Sequence, residues 1–98
     1  MAKLLIQTQV YENYGDADKP YWKAKGGGDY VIKKFKGNHS KALAAVMAVR
    51  GQIEQDNEYF REQIIGWEIV ADDYLTEFER SQLEYEGKIT YPANELQW

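Results

Sequence analysis

Few residues of this 98-residue chain offer reactive chemistry: it holds no cysteine and a single histidine. His39 follows Gly37-Asn38 at the start of a helical pattern, where the positive end of the dipole disfavours a charged ring. No serine stands in a nucleophile-elbow setting, and a surface-loop histidine accounts for His39. Asp72-Asp73 and Glu77 to Glu79 read as a strand end and a helix N-terminus, where carboxylates stabilise simply by facing the dipole. Without thiolates, one imidazole does not build a transition-metal site. Asp16-Ala17-Asp18 is too sparse for a calcium loop. The expectation is no catalytic residue, no metal and no cofactor.

The residues with most to offer a ligand lie between Tyr21 and Lys36. Lys23, Lys25 and Lys33 alternate there with Tyr21, Trp22, Tyr30 and Phe35 around Gly26-Gly27-Gly28. Glycine accepts positive φ at little cost, so Tyr21–Lys25 and Tyr30–Lys36 read as two strands folded back on a tight turn at 26–29. Such a turn exposes backbone N–H groups to an anion, and the interleaved rings can stack a base. It is not a Walker loop, since the following Gly-Lys-Ser/Thr is missing. A solubilised hairpin without a ligand explains the same lysines, because lysine guards exposed strands.

Charge is segregated along the chain. Residues 19–41 carry seven lysines against Asp29, whereas residues 54–86 carry eleven acids against Arg61 and Arg80, within a net charge of −4. One part of the surface can attract anions and another can meet a basic partner; two ordinary solvated faces are the simpler account. Overall acidity argues against dedicated duplex binding. Length and apolar content predict a single domain over 1–98, and no apolar run is long enough to span a bilayer. The start turns polar at Gln7, too early for a signal-peptide core, so the expected home is the cytoplasm.

Around these residues the pattern predicts a small α+β fold. Leu4, Ile6, Thr8 and Val10 alternate as one face of a strand over 3–11, followed by a polar loop to Pro20. Asn38 or Ser40 caps a long helix with a stripe of Leu43, Val46, Met47 and Ile53, which Gly51 weakens toward its end. Residues 55–62 are polar and read equally as helix or loop. Ile65, Trp67 and Ile69 share a face of a strand over 64–70. Thr76 and Glu79 fit a capping box for a short helix carrying Phe78, Gln82 and Tyr85, and Gly87 suits its end. A short strand over 88–91 is also consistent with the pattern. The expected order is β-β-β-α-β-α: about four mostly antiparallel strands with the long helix on one face and the other face open or half-covered.

Gln7-Thr8-Gln9-Val10-Tyr11-Glu12-Asn13-Tyr14-Gly15, then Tyr21-Trp22-Lys23-Ala24-Lys25-Gly26-Gly27 and Tyr30, resembles the N-terminal signature of small uncharacterised proteins of tailed bacteriophages. The likeness covers about the first third of the chain, and its polar loop is shorter here than in that family. It implies an accessory protein of the bacterial host cytoplasm and transfers no catalytic residue. Small phage proteins of this kind work by binding, either blocking a host or defence protein or sequestering a nucleotide, a step taken by analogy. Two functions follow as expectations. One is a non-enzymatic binder of a host protein with a counter-defence role. The other is an anion, nucleotide or single-stranded nucleic-acid binder built on 21–36. The candidate binding residues are Tyr14, Tyr21, Trp22, Lys23, Lys25, Gly26, Gly27, Tyr30 and Lys33. The oligomeric state stays open, a homodimer included.

Overall fold

A computed structural model describes residues 2–97. Its elements are β1 (Ala2–Asn13), β2 (Trp22–Phe35), α1 (His39–Ile53), β3 (Gln55–Asp56), β4 (Phe60–Ala71), α2 (Glu77–Glu86) and β5 (Asn94–Glu95). They form one five-stranded sheet in the order β3-β4-β1-β2-β5. The α+β class holds, but the four-stranded plan does not. β1 is central, pairing antiparallel with both β2 and β4, and β5 adds a short parallel partner to β2.

The largest departure lies in β2. Residues 22–35 do not fold back as a hairpin but run as one strand beside β1, with Thr8, Gln9 and Val10 opposite Gly28, Gly27 and Gly26. The glycines serve lateral closeness rather than a turn. A Cβ on Gly27 would lie 2.2 Å from the Thr8 carbonyl oxygen. Gly26 takes φ +119° beside a bulge, where Lys25 has no opposite residue between the Val10–Gly26 and Tyr11–Ala24 pairs. The real hairpin is β1–β2, turning through 14–21.

The core occupies one end of the sheet. Leu4, Ile6, Ile32 and Phe35 pack under Ala42, Ala45, Val46, Val49 and Ile53 of α1. Asn38 caps this helix, its side chain accepting from the Lys41 N–H, and the helix passes Gly51 to reach Ile53. The buried stripe is rotated from the expected one. Alanines with Val46 and Val49 face the sheet because small side chains let the helix lie close, leaving Leu43 and Met47 45% and 56% exposed.

On the opposite face Leu5, Val31 and Val70 pack with Tyr74 and Ala93, so the chain after β4 covers part of it. The capping box of Thr76 and Glu79 is present, and Gly87 ends α2 in the left-handed region. Gln82 is buried and holds the backbone of Thr90 and Tyr91, where no strand forms; Phe78 and Tyr85 on the same side of α2 remain exposed. In β4 a bulge between the partners of Gln7 and Thr8 leaves Ile65 outside the ladder. Ile64 and Trp67 join the α1 core and Ile65 is exposed, so the three expected apolar residues do not share a face.

A 15-residue helix is about 22 Å long, whereas the molecule extends 48 × 37 × 17 Å. α1 therefore covers roughly half the sheet. The rest of β1, β2 and β4, with β3 beside them, projects beyond the helical core as an arm.

Candidate functional site

The arm ends in two turns locked together by one side chain. Asn13 accepts from the N–H groups of Gly15 and Tyr21 at 2.8 and 2.9 Å, which closes the 14–21 loop. Its amide also donates to the Glu58 carbonyl at 2.9 Å, and its own N–H donates to the Tyr59 carbonyl, tying that loop to the β3–β4 turn. Asp16 and Asn57 each organise their own turn by accepting two backbone N–H groups. Gly15 is required by contact, since a Cβ there would fall 2.1 Å from the Lys19 carbonyl oxygen. The two halves of the phage-like signature thus meet here, with the Tyr14 N–H donating to the Tyr21 carbonyl.

This framework displays aromatic rings. Tyr14, Tyr21, Tyr59 and Phe60 are 58%, 63%, 68% and 46% exposed. Tyr14 receives the Lys23 ammonium 5.9 Å from its ring centre. Trp22 is half-buried under the Arg61 guanidinium at 4.2 Å, and Arg61 is held by Asp56 at 3.0 Å. Of these, Trp22, Asp56 and Arg61 wall an open cleft of about 460 Å3 with Asn13, Asp16, Pro20 and Glu58.

The nine residues expected to bind do not form one site. Tyr14, Tyr21, Trp22 and Lys23 gather at the tip. Lys25, Gly26 and Gly27 lie further along the strand, where Lys25 pairs with Glu12 at 2.7 Å. That pairing lowers the Glu12 carboxyl below its ordinary range and raises the Lys25 ammonium above its own. Lys33 stands at the far end of β2, 3.4 Å from Glu95. Eight residues of strand separate it from Lys25, about 26 Å at the usual rise. In the expected hairpin, with its turn at 26–29, they would have stood three positions apart, about 10 Å.

Tyr30 takes a structural role instead. Its hydroxyl donates to Glu62 at 2.9 Å, the same carboxylate oxygen that accepts from Thr8 at 2.7 Å, while Thr8 accepts from the Gly28 N–H. Burial, then the Glu62 hydrogen bond, pushes the Tyr30 phenol up to about 12. A folded pKa above the usual 10 means the link is intact below pH 10 and is lost as pH rises through about 12. This cluster fixes the arm where the helical core ends.

Sequence reasoning missed Asn13, Asp56, Asn57, Tyr59, Phe60 and Arg61. The signal was present for the second turn: Asn57 followed by Tyr59-Phe60 marks a turn former before aromatic strand residues. No family model, curated protein or solved structure matches this chain.

Proposed function

We propose that this chain is a non-enzymatic phage accessory protein that binds and modulates a host protein in a counter-defence role, and that the tip of the sheet arm makes the contact. The phage setting is supported by the N-terminal signature alone. One observation carries the binding reading: four exposed aromatic rings and the Trp22–Arg61 stack stand on turns braced by Asn13, beyond any helical cover. Tyrosine, tryptophan and arginine are the residues protein interfaces favour, and a braced backbone reduces the ordering cost of binding. Their exposure gives a partner apolar area without first unfolding anything.

The anion-binding alternative required three lysines around a glycine turn. Residues 26–28 are strand instead, Lys25 and Lys33 face carboxylates, and Lys33 lies far from the tip. No observation favours that reading over protein recognition.

The test is capture from bacterial lysate with and without nuclease, with the wild-type chain and a Tyr14→Ser, Tyr21→Ser, Tyr59→Ser variant side by side. The expected result is a host protein retained by the wild type and lost with the variant, at unchanged folded stability. Equal retention by both proteins rejects the tip, and retention abolished by nuclease rejects a protein partner.

A further inference from the structure

The two long edges of the sheet are defended very differently. Along the outer side of β2 the chain places Lys23 and Lys25, the Gly26 bulge, β5 alongside Tyr30 and Val31, and Lys33-Lys34 at a second register shift where Lys34 takes φ +56°. Lysines, bulges and short covering strands are the usual means of stopping a sheet from pairing with another chain. Beside β4, β3 reaches only Arg61 and Glu62, and the Glu54 carboxylate takes the Ile64 N–H at 3.0 Å. From Gly66 to Ala71 no strand lies on that side among the described residues. This six-residue edge, about 20 Å long, holds no lysine, arginine or proline, and Glu68 is its only charge.

The flank of the edge is apolar. Leu43 and Met47, the two helix residues turned away from the core, line a groove of about 150 Å3 with Ile64 and Trp67. Ile65 and Ile69 are 64% and 38% exposed on the same strand. The Arg50–Glu54 pair closes one rim.

We propose that the Gly66–Ala71 edge pairs antiparallel with the same edge of a second copy, joining two sheets, with Leu43 and Met47 of both copies closing over the seam. A nearly uncharged strip offers a charged partner nothing to complement, whereas a two-fold axis matches it with an identical apolar strip. A standard interface takes about 800 Å2 from each partner, little more than a tenth of the 6964 Å2 this surface exposes. Leu43, Met47 and Ile69 supply the exposed apolar part of such a patch here. A register centred on Ile69 pairs Trp67 to Ala71 with the same residues of the second copy and keeps the two Glu68 carboxylates from facing each other. The proposal uses no residue of the aromatic tip and stands apart from the binding function.

The test is molar mass by light scattering and sedimentation at tens of micromolar, for the wild type, Met47→Glu, Ile69→Lys and the tip triple-serine variant. Wild type and tip variant are expected at twice the chain mass, with both edge variants at the mass of one chain. Amide exchange covers a variant that fails to fold: protection of residues 66–71 in the wild type should rise with protein concentration. A monomeric wild type, folded edge variants that remain dimeric, or concentration-independent protection overturns the proposal. So does a wild type that is monomeric alone yet co-purifies with a different chain on this edge.

Discussion

The two ends of the sheet solve the same problem by different physics. At the helical end, Leu4, Leu5, Ile6, Val31 and Phe35 are buried from both sides, and removal of apolar surface from water holds the strands in place. In the arm no helix lies over the strands. Their pairing is supported by Asn13 across two turns, by Glu62 between Thr8 and Tyr30, by the Lys25–Glu12 pair and by Arg61 over Trp22. An end stabilised by burial turns most of its strand side chains into the core and offers a partner what lies at its rim, such as Leu43, Met47 and Ile69. An end stabilised by hydrogen bonds and stacking keeps them free.

Cavity formation should divide the two ends most sharply. Ile6→Ala, in the core, should cost about 2–5 kcal/mol, while Val10→Ala, at a half-buried position two turns of the pleat along the same face, should cost about 1 kcal/mol. Urea denaturation measures both, and equal losses would erase the distinction. Next comes the seam between the ends. Gly27→Ala should destabilise by about 2–3 kcal/mol, since its methyl must push β2 from the Thr8 backbone. A neutral result would mean that residues 26–29 are not strand.

Glu62→Ala should cost about 1–2 kcal/mol by leaving the Thr8 and Tyr30 hydroxyls without their shared acceptor. It should also raise amide exchange in the arm before the core. The smallest effect concerns Asp29, whose carboxyl is raised above its ordinary range, first by burial, with the nearby Glu79 and Glu77 charges adding to it. A raised folded pKa makes the ionised form a cost that is present at neutral pH and removed as pH falls below the ordinary carboxylate range. Asp29→Asn should therefore raise the melting temperature slightly at pH 7, and the gain should vanish in acid. A gain that persists unchanged in acid would assign it to something other than charge.

Periodicity revealed much of the covered end. The alternation of Leu4, Ile6 and Thr8, the Asn38 cap and the Thr76–Glu79 box each rest on neighbours close in sequence, and each is in place. The glycine run was read wrongly because three glycines satisfy a tight turn and a close strand approach equally well, and only the distant Thr8 decides between them. In the helix stripe Val46 and Ile53 are buried as expected, but Leu43 and Met47 were misplaced for a similar reason. Leucine and methionine outrank alanine in hydrophobicity, but the sheet below α1 leaves room for alanine. At the tip, Tyr14, Tyr21, Trp22 and Lys23 were legible as candidates. Arg61, which stacks on Trp22, and the exposed Tyr59 arrive from some 40 residues away, through a β3–β4 turn whose polar composition masked a hairpin.

The claim that matters most is that the arm is ordered before anything binds to it. Amide hydrogen exchange on the free protein tests this directly. The account predicts that Val10–Asn13 and Trp22–Gly26, together with the hydrogen-bonded Tyr14 and Tyr21 amides, are protected well above an unstructured chain, though less than Leu4–Ile6. Exchange in those arm segments at the rate of an unstructured chain would contradict it, because the aromatic rings would then have no fixed platform.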